Sequence, residues 1–387
     1  MTSKRGTHLI RGIFGLIAAT FALALLASPA AAATQTGKAL NRTLNQIMAN
    51  EDNPPGLAML MQRNGGTQFR QRGVADVDTD APFHREDHYR IASVAKAFNG
   101  AIALVLVDEG TLELDDTLGD WIPGVLPRGE DVTIEQALQH TAGLPDYIRQ
   151  PAFVDALVAD PAQYMTPLQL LDFVKNKDLD FTSGTEYGYS DTDNIAVGLI
   201  AEAATHLSYN ELLDKYIYEP AGLTGTSLPD TVEMPEPYIH GYTSNDDGTL
   251  DDDSEFINPA LAWASGGIVS TMDDVNSFFR AYVGGDLFGP ATQAEQETFI
   301  QGNSSPPGPG KNNAMPGLFR YETKCGTFYG HTGSYPGYRL FAAASRNGNR
   351  SVVFVMNEQI TPEPDGTPEV SKLVRRAQQQ AICHVNR

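Results

Sequence analysis

The chain has 387 residues, with 27 Lys+Arg against 48 Asp+Glu and a formal net charge of −21 at pH 7. Such a surface repels nucleic acid and anionic lipid, and neither is expected as a partner. Two cysteines are too few for a zinc cluster, and the eight histidines show no H-x-H or H-E-x-x-H spacing, so no metal and no other cofactor is expected.

The first residues read as an export signal. Lys4, Arg5 and Arg11 precede the apolar run Ile13 to Ala27, and Ala31-Ala32-Ala33 offers small residues for cleavage before Thr34. The run is too short and Ala-rich for a stable membrane span, and no second stretch is long enough to cross a bilayer. Residues 1–33 are thus expected to be removed and residues 34–387 to be secreted, with oligomeric state left open. Without the three signal cations the balance is 24 basic against 48 acidic residues, a net of −24.

Leu40, Leu44, Ile47 and Met48 recur at helical spacing, and Pro54-Pro55-Gly56 ends that helix. Leu57 to Met61 reads as a buried strand, Asn64-Gly65-Gly66 as a turn, and Thr67 to Val74 as the returning strand. From Val94 the period turns helical, with Ile102, Ala103, Leu106 and Val107 on one face and Gly110 placed to end it. Further helices are expected over Thr133–Gln139, Pro167–Val174, Asn194–Ala204 and Tyr209–Tyr216. The aspartates between Thr243 and Asp253 fit no EF-hand and read as a solvated acidic loop. Ser304 to Asn313 reads as a Pro/Gly/Ser-rich linker. Leu340–Ser345 and Ser351–Met356 flank Arg346-Asn347-Gly348-Asn349-Arg350 as a hairpin, and Pro368 to Cys383 has one apolar helical face.

Strands at both ends with helices between them predict an α/β (α+β) fold. An antiparallel sheet would be assembled from residues 34–90 and 314–387, with a mainly helical region, 91–313, inserted in the middle. The chemistry would lie in the cleft between the two. Cys325 and Cys383 allow one disulfide closing a 58-residue loop, or two free buried thiols; export favours the bond.

Three stretches have the composition of a site. In Ser93-Val94-Ala95-Lys96, the only S-x-x-K of the chain, a helix would place the lysine amine one turn from the serine hydroxyl, a nucleophile beside a base. The bland alternative is a serine N-cap with a surface lysine. In Gly188-Tyr189-Ser190-Asp191, Tyr189 beside an activated lysine can have its pKa lowered and shuttle protons, and the polar side chain at Asp191 can bond a substrate amide. The alternative is a core tyrosine followed by a helix cap. In Gly330-His331-Thr332-Gly333-Ser334, glycines let a substrate approach a strand edge, and His331 with Thr332 can hold a carboxylate; the alternative is a glycine turn with an edge histidine.

Taken in order, Ser93-x-x-Lys96, Tyr189-x-Asp191 and His331-Thr332-Gly333 resemble the three active-site elements of serine penicillin-recognising enzymes, the class C β-lactamase/D,D-peptidase family. The segments His140 to Pro145, Asn194 to Glu202, Glu219 to Leu223 and Gly266 to Asp274 agree, and the likeness runs from about Ala39 to the C-terminus. Within the family the chain most resembles secreted D-alanyl-D-alanine carboxypeptidases of actinomycetes. Those have His-Thr-Gly where β-lactamases have Lys-Thr-Gly, and cysteines placed like Cys325 and Cys383. The resemblance implies a β-lactamase/transpeptidase-like fold and a carboxypeptidase that forms an acyl-enzyme on Ser93 and is acylated by penicillins. Lys96, with Tyr189, would take the Ser93 proton, and the backbone N–H groups of Ser93 and Ser334 would hold the oxyanion. Trp263, Arg320, Thr332 and Gly333 would line the substrate, a peptidoglycan stem peptide or β-lactam whose carboxylate faces His331, more tightly as pH falls toward ~6.5. The departure is Asp191 where the family has asparagine, since an ionised aspartate cannot donate to a substrate carbonyl. A β-lactamase or carboxylesterase on the same scaffold is the alternative, followed by a silent peptidoglycan-binding protein.

Overall fold

The computed structural model describes residues 29–50, 54–126, 128–245, 247–360 and 368–387. Of the export signal expected over residues 1–33, residues 1–28 lie outside them. Eight strands form one antiparallel sheet: β1 (Gly56–Arg63), β2 (Gly66–Gly73) and, after two small pairs, β7 (Ile300–Gln301), β8 (Lys311–Met315), β9 (Leu318–Thr323), β10 (Gly326–Tyr335), β11 (Tyr338–Ala344) and β12 (Arg350–Met356). Their order is β2-β1-β12-β11-β10-β9-β8-β7, so the first hairpin is added to the C-terminal meander through β1 and β12, with Met59 opposite Phe354. The small pairs are β3 (His88–Arg90) with β6 (Val269–Thr271) and β4 (Tyr242–Ser244) with β5 (Leu250–Asp252).

β1 and β11 are buried along almost their whole length, because the sheet is covered on both faces. Side chains alternate between two cores. Leu57, Met59, Met61, Phe341 and Phe354 pack against the terminal helices Pro29–Met48 and Glu369–Val385. Ala58, Leu60, Leu340, Val353 and Val355 face the helical region and the helix Met272–Gly284, through Phe278, Phe279 and Tyr282. The edge strand β2 carries Arg70 and Arg72, whose charges discourage further strand pairing. Among the described residues no helix is long and apolar enough to cross a membrane.

The expected sheet assembled from both termini around a helical insertion is what the chain forms. Three details differ. The segment read as a linker ends in β8, and with β7 the sheet starts at residue 300 rather than 314; strands of two and five residues that carry Gln, Lys and Asn show little apolar alternation to announce them. The acidic stretch after Thr243 is not a loop but the hairpin β4–β5. The helix Met272–Gly284 was not anticipated, although Thr271 caps it by accepting from Asp274 N at 3.2 Å and Val275, Phe278, Phe279 and Tyr282 are apolar at helical spacing.

Cys325 and Cys383 are bonded, tying the β9–β10 turn to the C-terminal helix across a separation of 58 residues. The double variant Cys325→Ala/Cys383→Ala is expected to lose ~4 kcal/mol of unfolding free energy in the chain-entropy model. Chemical denaturation checks this, and a loss below about 1 kcal/mol would mean that the helix docks without the bond.

Candidate active site

Ser93 does not cap a helix. It sits in a 3-10 turn, Ala92–Val94, that feeds the helix Ala95–Asp108, whose cap residue Val94 makes no side-chain bond. Ala92 just before it adopts a left-handed backbone, φ 49°, which a residue with a Cβ adopts only when its surroundings impose it. The imposing neighbours are β6, through Ile91 N to Ile268 O at 3.0 Å, and β10. A Cβ on Gly333 would lie 2.9 Å from Ile91 O and 3.1 Å from the Ala92 Cβ. Gly333 therefore serves the approach of β10 to the serine turn, rather than access of substrate to a strand edge as expected.

Lys96 is 1 % exposed, so the surface-lysine alternative fails. Its Nζ lies 3.2 Å from Ser93 Oγ, 2.8 Å from Ser265 O and 2.5 Å from Asp191 Oδ1. Asp191 is thus engaged with the lysine, not free to bond a substrate amide. Tyr189 stands beside them, with Lys96 Nζ 5.1 Å from its ring centroid. Its hydroxyl is buried, and burial, reinforced by the Asp191 charge, pushes its pKa well above the usual phenol value. That is the reverse of the lowering expected from an activated lysine, and it keeps Tyr189 a neutral proton donor.

His331 is not an edge residue. It is 1 % exposed in the middle of β10, its Nδ1 donating to Thr332 O at 2.5 Å, and burial with the nearby Lys96 pushes its pKa down to about 3. The expected strengthening of carboxylate binding toward pH 6.5 through a charged His331 is therefore withdrawn: the imidazole is neutral throughout that range. Thr332 is 1 % exposed and donates its hydroxyl to Pro306 O at 2.6 Å, which turns it away from the pocket. Arg320 pairs with Glu322 at 3.3 Å and covers the Phe299 ring, and it does not line the pocket. Trp263 packs on Tyr209 and lines a separate cavity with Tyr164 and Met165. Ser334 does reach the Ser93 pocket, its Oγ accepting from Gln359 Nε2 at 3.1 Å.

That pocket has a volume of about 370 Å³. It is walled by Tyr147, Phe153, Leu157, Ile257 and Leu261, with Ser93, Tyr189 and Asp191 on one side. Sequence reading missed Asp146, which lines it too and whose carboxyl is pushed up to about 7, first by burial and then by the Asp191 charge. It also missed Ser265 and the buried pair His140 Nδ1–Asp193 Oδ2 at 2.9 Å, whose imidazole packs 4.4 Å from the Tyr189 ring. The signals were present: Asp146 follows directly on His140 to Pro145, and Ser265 adjoins the Trp263 stretch. Among the described residues no cluster of His, Cys, Asp or Glu fits a metal ion.

The buried state of His331 gives a stability prediction. Between about pH 3 and 6.5 the unfolded chain binds a proton at this histidine that the folded chain does not. Its contribution is therefore complete above ~6.5 and is lost as pH falls toward 3. His331→Gln is expected to melt less steeply with acid than the parent over that window, a relative gain on the order of a few kcal/mol at the acid end. Parallel pH dependences of the two melting temperatures would show that the imidazole is not kept neutral by the fold.

A family model described as Beta-lactamase matches residues 40–374. Penicillin-binding protein 4* of Bacillus subtilis is 23 % identical over 299 residues, 74 % of this chain and 64 % of that protein, so the chain spans less than two thirds of that relative's length. A D-stereospecific amidohydrolase from Streptomyces sp. superposes with a TM-score of 0.76 at 26 % identity, covering 88 % of this chain and 98 % of that one. EstCE1, a hydrolase with promiscuous acyltransferase activity, shares the fold at a TM-score of 0.70 and 21 % identity, covering 92 % of this chain and all of the other.

Proposed function

The chain belongs to the beta-lactamase family of serine hydrolases with the penicillin-recognising fold, and from that premise we propose that it is an exported acyl hydrolase cleaving amides or esters of an apolar acyl group through Ser93. One observation carries this choice over the carboxypeptidase reading. The groups expected to anchor a terminal carboxylate are neutral, turned away or paired elsewhere, and among the described residues the one basic side chain lining the pocket is Arg149, beside Asp146 and Asp191. The likeness to an amidohydrolase and to EstCE1 supports the same reading. The disulfide fits an oxidising compartment.

The proposed acylation runs through the three oxygens around Lys96. In the resting site Lys96 Nζ donates to Ser93 Oγ, Ser265 O and Asp191 Oδ1. It enters acylation after releasing the proton that faces Ser93 to solvent, so that two N–H groups stay on Ser265 O and Asp191 and the lone pair faces the serine. Ser93 loses its proton to that lone pair as its oxygen attacks the carbonyl, and the ammonium formed keeps all three N–H groups bonded, its charge matched by Asp191. The N–H groups of Ser93 and Ser334 receive the oxyanion. Tyr189, a neutral phenol, protonates the leaving group and is recharged from Lys96, and water then releases the acyl group.

D-Alanyl-D-alanine carboxypeptidase activity is the second reading. It is favoured by the Arg149 guanidinium, exposed beside the pocket, where it can meet a carboxylate. Intact-mass measurement with a fluorescent penicillin, beside initial rates on a p-nitrophenyl ester, an amino-acid amide and a D-Ala-D-Ala peptide, separates these. Ester or amide turnover without D-alanine release is expected. D-alanine release faster than either would overturn the first reading in favour of the second, and no adduct with no turnover of any substrate would sink both.

A further inference from the structure

Asp146 is the one carboxylate of the Ser93 pocket that the acylation chemistry does not use. The residue is 6 % exposed. Its Oδ1 accepts from Asp191 N at 3.2 Å, while Oδ2 is buried with no hydrogen-bond partner. The nearest cation, Arg149 Nε at 3.3 Å from Oδ2, belongs to a side chain that is 71 % exposed, where solvent screens the pairing. Lys96 acts on it only through its charge, since its N–H groups are taken by three other oxygens. A buried carboxylate oxygen without a donor is costly and marks a place where a ligand donor is missing. Next to it, Phe153, Leu157, Ile257 and Leu261 make an apolar wall.

We propose that Asp146 is the recognition group for a protonated amine on the acyl donor, so that the preferred substrates are amides or esters of acyl groups carrying both an ammonium and an apolar side chain. This deepens the hydrolase reading and rests on it. The ammonium bonds Oδ2, the side chain lies on the apolar wall, and the carbonyl is presented to Ser93. With its carboxyl pushed up to about 7, Asp146 gains its charge as pH rises through neutrality. A substrate α-amine loses its proton at ~8, so the preference for a free amine peaks between the two. The other groups that bear on Asp146 are Arg149 and Tyr147 from its own segment, Asp191 and Asp193 from the helix Asp191–Thr205, Lys96 from the helix Ala95–Asp108, and Tyr189. The Asp146→Asn variant therefore serves to isolate its titration from theirs.

The test compares kcat/KM for leucine p-nitroanilide, in both enantiomers, with its N-acetyl counterparts from pH 5.5 to 9. The free amine is expected to be preferred at least tenfold near pH 7.5, less at either end, and Asp146→Asn should bring the ratio close to one. Benzylamine is expected to slow fluorophosphonate labelling of Ser93 in the parent protein more than benzyl alcohol does, and to lose that advantage at pH 5.5. The labelling readout needs no variant, so it holds even if Asp146→Asn fails to fold. Equal or faster turnover of the N-acetyl substrate overturns the amine site while leaving the hydrolase reading standing, as does equal protection by the amine and the alcohol. Failure to label Ser93 and to turn over any substrate overturns the hydrolase reading and this site with it.

Discussion

Ser93→Ala is expected to lower kcat/KM for every acyl substrate by on the order of 10⁴- to 10⁶-fold, the range seen when a serine nucleophile is removed and only binding and oxyanion contacts are left. The loss should fall on kcat, because the apolar wall of the pocket is built by other segments and stays in place. Stability should change little. The Ser93 hydroxyl accepts from Lys96 at 3.2 Å, and without it that lysine retains Asp191 and Ser265 O. Rate measurements beside thermal melting decide it. Residual activity within tenfold of the parent, with an acyl adduct still visible by intact mass, would mean that another residue is the nucleophile.

Lys96→Met is expected to abolish turnover and, unlike Ser93→Ala, to destabilise the fold. Lys96 and Asp191 are 2.5 Å apart, with side-chain exposures of 2 % and 12 %. Deleting the cation strands a carboxylate in a poorly solvated place, which costs about 3–5 kcal/mol in comparable buried pairs. Adding Asp191→Asn removes the stranded charge, so the double variant should recover most of that stability and none of the activity. The thermodynamic cycle completed by Asp191→Asn alone separates what the pair does for folding from what it does for Ser93. A double variant no more stable than Lys96→Met would mean that solvent reaches Asp191 more freely than its burial indicates. A double variant that regains turnover would mean that neither group takes the serine proton.

These two experiments bear on the departure that stands out in the sequence. Asp191 replaces a side chain expected to bond the substrate, and the structure gives it a different partner, the base itself. A carboxylate in that place favours the ammonium form of Lys96 once the Ser93 proton has moved. It also adds a negative charge to a pocket that already contains Asp146. Both consequences turn the pocket away from anionic acyl donors, which is the direction in which the neutral His331 and the paired Arg320 also point.

Much was legible in the chain by itself. Period-two and helical apolar patterns gave the terminal strands, the first and last helices and the hairpin around Asn347-Gly348, because those elements are held by local backbone rules and one or two buried faces. The short motifs around Ser93, Tyr189 and His331 pointed to three segments, of which Ser93 and Tyr189 line one pocket and His331 lies buried beside it. The family resemblance rested on those three motifs occurring in order, and the family model matching residues 40–374 agrees with it.

What the chain by itself did not determine is the state of each group once brought together. Burial and ionisation depend on neighbours far away in sequence: Asp191 lies 95 residues from Lys96, and His331 is neutral because a covered sheet surrounds it. The family resemblance put Thr332, Arg320 and Trp263 at the substrate, yet strand pleat and packing turn each of them elsewhere. Asp146 had no motif of its own and became visible only when its loop closed over the pocket. The sequence determined the scaffold and pointed to Ser93 as the proposed nucleophile. Only the tertiary structure decided the charge of its pocket, because the free energy of a buried charge is set by the groups that fold around it.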